Sequence, residues 1–393
     1  MKKRTVPFEG TMLCFSHLRW DFVYQRPQHL MVRMARHGRV LFVEEPLPFE
    51  GEPHLDVRPA AHGVEVVVPR LHAEHCVPGN AAGEARQRML LDALLQERRI
   101  SRPVLWYYTP MSWAFSRHLP ASLVVYDCMD QLSAFSGAPP QLVSREESLM
   151  ASADLVFTGG HSLYEAKRWL HDAVYPFPSS VDVSHFAQAR HATEDPPELR
   201  GIGFPRIGFY GVIDERLDTG LLAQAAALRP DWQWLLTGPV VKISPSSLPQ
   251  APNLHWLGPQ RYEDLPAHIG RWDVAMLPFA LNEATRFISP TKTPEYLAAG
   301  CPVVSTPVTD VVRTWGGSGL VTIAPDAAGF VAAIESSLLH QPARSPAVCR
   351  AADALLDGLS WDLTCSEMVQ HMRSHSAPRE AGKRRPNDAA WAA

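Results

Sequence analysis

A short stretch in the second half of the chain, RFISPTKTPEYLAAGCPVVST (286–306), places a cation and a carboxylate at the start of a predicted helix. Lys292 suits phosphate oxygens as a point charge, while Thr293 and Pro294 are typical of an N-cap and a first helical position. Glu295 follows, and a carboxylate can accept two hydroxyl protons from a diol. Phosphate plus diol describes a nucleotide, whereas the alternative is an ordinary capped helix with a surface lysine.

The elements around this motif are expected to bring a second cation to it. The motif follows the apolar strand DVAMLPF (273–279), so it should lie at the carboxyl edge of a parallel sheet. Arg216 follows the first strand of the same half, RIGFYG (206–211), and should reach the same edge. Together the two cations could stabilise a departing diphosphate without a metal. The alternative is that this arginine only pairs with its acidic neighbours Asp214, Glu215 or Asp218.

Composition limits the classes of function that the chain can have. Its 393 residues are 46% hydrophobic and 20% charged, so two globular domains with packed cores are expected. The formal net charge of -4 argues against nucleic acid as a partner, because no strong basic field exists to meet phosphates. The six cysteines form no CxxC pair and no metal-site spacing, so we expect reduced thiols and neither a metal nor another cofactor.

The sequence predicts a cytoplasmic protein. No apolar run approaches the ~20 residues that a bilayer-spanning helix needs. The stretch TMLCF (11–15) is too short for the apolar part of a signal peptide. Lys2, Lys3 and Arg4 offer a candidate peripheral contact with an anionic membrane face, although three charges are also typical of a solvated terminus.

Short apolar strands alternate with helices through most of the chain. Runs such as VLFVEE (40–45) are typical of strands buried on both faces of a parallel sheet. A polar stretch with three prolines, AQARHATEDPPELRGIGFP (187–205), predicts a linker. The sequence therefore predicts an α/β protein of two Rossmann-like, doubly wound parallel-sheet domains, 1–186 and 206–358, facing a central cleft. A polar, disordered tail is expected from 374 to 393.

Four stretches resemble the motifs of one enzyme family. They are FPSSVDVSHF (177–186), PNLHWLGPQRYEDLPAHIGRWDVAMLPF (252–279), EYLAAGCPVVST (295–306) and LSWDLTCSEM (359–368). In this order and at these spacings they resemble GT-B glycosyltransferases of the retaining family 4 class, the glycosyl transferases group 1. The resemblance covers roughly residues 10 to 373 and implies the GT-B fold.

The resemblance implies that the second domain binds a UDP- or GDP-linked sugar and the first domain a glycan or lipid-linked acceptor. Glu295 matches the second glutamate of the family's Glu-x7-Glu motif, which is expected on the ribose hydroxyls. Arg216 and Lys292 match basic residues at the diphosphate, and the helix 359–373 should pack back on the first domain. The candidates for further donor contacts are Ser289, Pro290, Thr291, Gly211, Asp214 and Gly238.

The family's reaction retains the anomeric configuration and requires no metal, so both are implied here. The SPTK loop resembles that of members acting on bacterial surface polysaccharides. Three departures bear mainly on contacts to the donor sugar. Phe287 stands where the first glutamate of Glu-x7-Glu would fall, and Met129 stands where the family has a histidine before Asp130. The family's Gly-Arg-Leu is Gly211-Val212-Ile213.

The first domain supplies candidates for contacting the acceptor. His17, Trp20 and Arg26 follow the first strand, where polar groups and an aromatic face suit a sugar or a lipid phosphate. The alternative is a capped amphipathic helix with the tryptophan as a packing residue. His161 is a candidate for lining the cleft, or else a helix-capping residue.

Two aspartates follow another strand of the first domain. Asp127 ends the strand and is interpreted as structural. Asp130 is the better candidate to orient an acceptor hydroxyl or to act as a base.

The function predicted is transfer of a sugar from a nucleotide-sugar to an acceptor in cell-surface polysaccharide synthesis. Two alternatives stay open at this point: a sugar-nucleotide epimerase of the same architecture, and a non-catalytic nucleotide-sugar-binding partner. An oxidoreductase is disfavoured, because neither half has GxGxxG after its first strand.

Overall fold

The first sheet has nine strands. In this computed structural model, which describes residues 10–376, all of them run parallel except β4, which is antiparallel to β5. The order of the main path is β3-β5-β2-β1-β6-β7-β8-β9, with β4 beside β5. The strands are β1 (Thr11–Ser16), β2 (Arg39–Glu44), β3 (Leu47–Pro48), β4 (His54–Pro59), β5 (Val64–Leu71), β6 (Val104–Tyr107), β7 (Leu123–Cys128), β8 (Leu155–Thr158) and β9 (Val174–Pro176).

The second sheet has six parallel strands in the order β12-β11-β10-β13-β14-β15. In both sheets the winding reverses beside the first strand, between β1 and β6 and between β10 and β13. This arrangement confirms the predicted fold class of two doubly wound domains. The strands are β10 (Arg206–Tyr210), β11 (Gln233–Thr237), β12 (Leu254–Trp256), β13 (Val274–Leu277), β14 (Val303–Ser305) and β15 (Val321–Ile323).

Helices cover both faces of each sheet. Several begin at an aspartate whose carboxylate accepts a backbone N–H three residues on, as Asp218 does from Leu221 at 2.8 Å. Within residues 10–376, no helix has the length and apolarity to cross a bilayer. The α-helices are α1 (Arg26–Met34), α2 (Ala81–Glu97), α3 (Trp113–Ser116), α4 (Leu142–Ser152), α5 (His161–Lys167), α6 (Val183–Phe186), α7 (Thr219–Leu228), α8 (Leu265–Ile269), α9 (Lys292–Ala298), α10 (Thr309–Trp315), α11 (Ala327–His340), α12 (Pro346–Leu355) and α13 (Trp361–Ser376).

Both faces of the first sheet are buried, which explains the continuous apolar runs. Alternate residues of a strand point to opposite faces. In β1, Met12 and Cys14 join one apolar cluster, whereas Leu13 and Phe15 join the other. The carboxyl ends of the strands are therefore where polar loop residues can gather.

The segment predicted as a linker, 187–205, is folded against the second domain. It contains short 3-10 helices at Ala187–His191 and Pro197–Leu199. Ala189 and Leu199 are fully buried in the core of the second domain. The change of core comes earlier, between Phe177 of the first and Val181 of the second. The connection between the domains is thus shorter than the polar composition indicated.

Helix α13 returns to the first domain and joins its core. Trp361 is fully buried there and stacks on His29 of α1, with ring centres 4.7 Å apart. Beside this pair, Tyr24 and His185 stack on Tyr262 of the second domain at 4.5 and 4.3 Å. The helix includes residues 374–376, so the start predicted for the tail is wrong by three residues. The rest of the predicted tail and the terminal Lys2, Lys3 and Arg4 lie outside the described residues.

We expect Trp361→Ala to lower the free energy of unfolding by about 3–5 kcal/mol, because it removes a fully buried indole and leaves a cavity. Urea denaturation followed by circular dichroism measures the change. Leu363→Ala on the same helix is the control, since Leu363 is 44% exposed and should change stability by only about 0.5 kcal/mol. Equal losses in the two variants would contradict the docking of α13.

Candidate active site

The floor of the site is formed where the loops after β10 and β11 approach each other closely. Gly211 has φ +141° and Gly238 has φ +150°, values that L side chains rarely adopt. A Cβ added to Gly238 would lie 1.8 Å from the carbonyl oxygen of Gly211. A Cβ added to Gly211 would lie 2.2 Å from Cε of Lys292. Both glycines are therefore required for the lysine to lie across the two loops.

Helix α9 begins two residues earlier than the sequence suggested. The residue preceding it is Thr291, so the prediction of Thr293 as N-cap is wrong. Pro294 is the third helical residue, which is tolerated because N–H groups of the first turn have no partner within the helix. Lys292 is consequently the first residue of the helix, with Nζ 5.8 Å from the ring centre of Phe209.

Glu295 points into the same site and is only 4% exposed. The hydroxyl of Tyr210 donates a hydrogen bond to its carboxylate, and the N–H of Tyr210 donates to the hydroxyl of Tyr296 at 3.0 Å. Burial raises the pKa of Glu295, while the bond from Tyr210 and the charge of Lys292 oppose that rise. Sequence reasoning missed Tyr210, although it is the last residue of β10 and thus lies at the expected edge.

Arg216 reaches the site with its guanidinium held by Asp214. Nε and Nη2 donate to the two carboxylate oxygens at 2.9 and 2.8 Å, and the backbone N–H of Arg216 donates to Oδ1 at 3.0 Å. The pairing with Asp214 considered as an alternative is therefore present, but Asp214 is buried and the Arg216 side chain is only 24% exposed, so the pair lies at the edge of the cleft and not on the open surface. Within residues 10–376, no other carboxylate lies within 4 Å of this guanidinium.

Asp130 brings a carboxylate of the first domain to these groups of the second. Burial raises its pKa to about 6, against the charges of Arg216, Arg26 and Lys292, which lower it. Asp214 acts in the same direction as burial. The three predicted catalytic residues Arg216, Lys292 and Asp130 are therefore close enough to influence one another's charge across the cleft.

The loop after Asp130 continues across the cleft. Phe135 lies between two cations of the second domain, with its ring centre 5.4 Å from Cζ of Arg216 and 4.8 Å from Nζ of Lys242. The N–H of Ser136 donates to Oε1 of Glu215 at 3.0 Å. The domains are thus in contact at the mouth of the site.

The loop before α9 also contacts the first domain. Ser179 Oγ donates to the carbonyl oxygen of Ser289 at 2.7 Å. Phe287 packs against an apolar cluster of the first domain, so the position where the family's first glutamate would fall carries a contact between the domains here. Pro290 and Thr291 are half-buried between this contact and α9.

Two predicted acceptor contacts are wrong, because the side chains are committed elsewhere. Arg26 is 3% exposed and donates to Asp127 at 2.8 Å and to the carbonyl oxygen of Phe177 at 2.8 Å. This buried ion pair with Arg26 agrees with the prediction that Asp127 has a structural role. Trp20 is 8% exposed and packs edge-on against Phe42 at 5.0 Å, as the packing alternative stated.

Two acceptor candidates remain near the cleft. His17 keeps a buried Nδ1 that makes no hydrogen bond within residues 10–376. Burial, followed by the charge of Lys242, lowers its pKa to about 4, so the imidazole is neutral at pH 7. His161 is half-buried at the start of α5, where the next N–H, that of Ser162, donates to Asp310 at 2.9 Å.

The charge pattern defines what the arrangement can bind. Two cations and a diol-accepting carboxylate face the carboxyl ends of β10 and β13, the switch point of the second sheet. Within residues 10–376, no group of three or more histidine, cysteine or acidic side chains has the geometry to hold a metal ion. An anion with an attached sugar matches this pattern.

Gly238→Ala should weaken binding of UDP at least tenfold, because the methyl group would strike the Gly211 carbonyl and displace both loops. Isothermal titration calorimetry measures the affinity. Gly220→Ala is the matched control, since its methyl group would come no closer than 3.4 Å to Asp218. Unchanged UDP affinity in Gly238→Ala would contradict the placement of the nucleotide at these loops.

We expect the affinity for UDP to fall as pH rises through about 8. Burial lowers the pKa of Lys292 to about 8, so its ammonium is present below that pH and is lost above it. Titrations across this range should show the fall, and buffers of different ionisation enthalpy should show proton uptake on binding. An affinity that increases with pH would contradict this ionisation scheme.

Comparisons with known proteins agree with the fold. Residues 205–340 match the family model described as glycosyl transferases group 1. A curated relative, the putative teichuronic acid biosynthesis glycosyltransferase TuaH of Bacillus subtilis (strain 168), is 28% identical over 221 residues. That match covers 52% of this chain and 55% of the relative, so it spans about half the length of each.

Solved structures match over nearly the whole chain. Sucrose-phosphate synthase from Thermosynechococcus elongatus superposes with a TM-score of 0.71 at 17% identity, covering 93% of this chain and 99% of that one. A UDP-forming α,α-trehalose-phosphate synthase from Burkholderia xenovorans, in complex with glucose-6-phosphate, gives 0.67 at 13% identity, covering 93% and 100%. Together these comparisons show that the chain has the GT-B fold and that residues 205–340 of its second domain match the glycosyl transferases group 1 model.

Proposed function

We propose that the protein is a retaining glycosyltransferase that transfers a sugar from a UDP- or GDP-linked donor to a glycan or lipid-linked acceptor. The observation that carries this proposal is the convergence of Lys292, Arg216 and Glu295 at the switch point of the second sheet. The name of the bacterial relative supports a role in cell-surface polysaccharide synthesis. The UDP-forming synthases among the similar structures favour UDP as the nucleotide.

In this proposal the donor binds to the second domain. Lys292 and the clamped Arg216 contact the diphosphate, whose phosphates lie over the loops at Gly211 and Gly238. Glu295, held by Tyr210, accepts hydrogen bonds from the ribose hydroxyls. An acceptor would enter from the side of the first domain, past His17. A lipid-linked acceptor would bring the otherwise cytoplasmic protein to the inner face of the membrane.

The transfer step exchanges one bond for another at the anomeric carbon. The acceptor hydroxyl oxygen forms a bond to this carbon while the bond to the diphosphate oxygen breaks. The electron pair leaves with the diphosphate, where Arg216 and Lys292 stabilise it with no metal ion. Asp130 orients the hydroxyl, and the proton passes to its carboxylate or to the departing diphosphate. Contact between the domains keeps water from hydrolysing the donor.

Lys292→Met should slow sugar transfer by at least about 100-fold, because the departing diphosphate loses a charge-stabilising group. Donors are first chosen by thermal shift from a panel of UDP- and GDP-linked sugars, since a ligand of the folded state raises the melting temperature. NMR of the product should then show the anomeric configuration of the donor. Arg286→Met is the control, because Arg286 is an exposed cation in the same loop.

The same assay separates the competing functions. Free epimerised nucleotide-sugar formed without acceptor would replace the transferase with an epimerase. Donor binding with neither transfer nor hydrolysis would indicate a non-catalytic partner. An inverted product would exclude retention, and unchanged rates in Lys292→Met would exclude the role given to this lysine.

A further inference from the structure

A buried carboxylate lies behind the segment of the first domain that carries Asp130. Glu146 of α4 is 7% exposed, and its Oε1 accepts hydrogen bonds from the Tyr126 hydroxyl at 2.8 Å and from Lys167 Nζ at 2.8 Å. Lys167 of α5 is itself 6% exposed. The donors belong to β7 and α5, so this one carboxylate joins three elements of the first domain.

The same carboxylate reaches the segment that carries Asp130. The Sγ of Cys128 lies 3.7 Å from Glu146 Oε1 and 3.6 Å from the carbonyl oxygen of Asp130. On the other side of Asp130, Nε2 of Gln131 lies 3.5 Å from Glu146 Oε2. The residues flanking Asp130 at positions 128 and 131 are thus both in contact with Glu146.

Stability alone does not explain this ion pair. Removing two charges from water costs several kcal/mol for each ion, and apolar side chains of the same volume often stabilise a fold as well or better. The pair does have a geometric consequence, because it fixes the base of the loop that runs through Asp130 to Phe135. That loop is the part of the first domain that meets Arg216 and Lys242.

We propose that Glu146 and Lys167 are positioning residues, which fix residues 128–131 and thereby hold the Asp130 carboxylate towards Arg216 and Lys292. This inference rests on the proposed function only where it concerns the rate of transfer. The fixing of the loop stands on the contacts of Glu146 alone.

Replacing the carboxylate by an amide tests this arrangement without changing the size of the side chain. Glu146→Gln places an uncharged amide opposite the Lys167 ammonium and puts an N–H group where only acceptors fit. The buried ammonium then lacks a counter-charge. Glu146→Gln/Lys167→Met removes that ammonium, so it should recover most of the lost stability while leaving residues 128–131 without their anchor.

The first readout is hydrogen–deuterium exchange of the full chain, which needs no enzymatic activity. In Glu146→Gln and in the double variant, amides of residues 128–138 should exchange at least about tenfold faster than in the wild type. Asp195→Asn is the control, because it breaks a pair with the buried Arg206 far from this loop. Unchanged exchange at 128–138 in the double variant would overturn the proposal.

The second readout is the kinetics of sugar transfer. Both variants should lower kcat at least about tenfold, because small displacements of a catalytic group are costly. The dissociation constant of UDP should stay within about twofold, since its site is in the second domain. The acid limb of the pH–rate profile, which Asp130 sets near pH 6, should shift in both variants. Asp195→Asn should change neither.

The outcomes separate the two proposals. Faster exchange at 128–138 with unchanged kcat and an unchanged pH profile would overturn the positioning role. A double variant that recovers melting temperature, exchange and kcat together would show a purely structural role and would also overturn it. Absence of transfer by the wild-type protein would refute the proposed function, while the exchange experiment would still decide whether Glu146 fixes the loop.

Discussion

The two cations of the cleft keep their charge because each lies beside a buried carboxylate. Asp214 clamps Arg216 through two hydrogen bonds, and Glu295 lies on the same helix face as Lys292. Removing either charge from water would otherwise be too costly. The close approach of the backbone at Gly211 and Gly238 provides the space in which Lys292 can lie. The cationic site in the cleft therefore depends on this balance between charges and on a floor without side chains.

Without the first domain, the cations of the second domain would have no carboxylate opposite them in the cleft. Asp130 supplies that group, and burial in the cleft raises its pKa although the charges of Arg216, Arg26 and Lys292 lower it. The contacts of Ser136 with Glu215 and of Ser179 with Ser289 hold the domains together on either side of it. A site assembled in this way is complete only when both domains are in contact.

The sequence predicted the fold and much of the charged site because both follow from local rules. Apolar runs gave the parallel strands, and loops after strands of one sheet share one edge, which placed Arg216 with Lys292. The cleft expected between the domains placed Asp130 opposite them. The rest depended on distant pairings. Arg26 finds Asp127 across 101 positions, so no local pattern shows that it is buried. Strand β4 was missed because it is polar and half-exposed. Tyr210 was missed because its hydrogen bond to Glu295 joins residues 85 positions apart.

The two passages of the chain between the domains define where the molecule can bend. One lies between Phe177 and Val181 and the other just before Trp361, and the stacked rings of Tyr24, His185 and Tyr262 lie alongside. Because residues 187–205 are packed on the second domain, they do not lengthen the flexible connection between the domains. Any rotation of one domain against the other must therefore take place about these two short passages, beside the stacked rings.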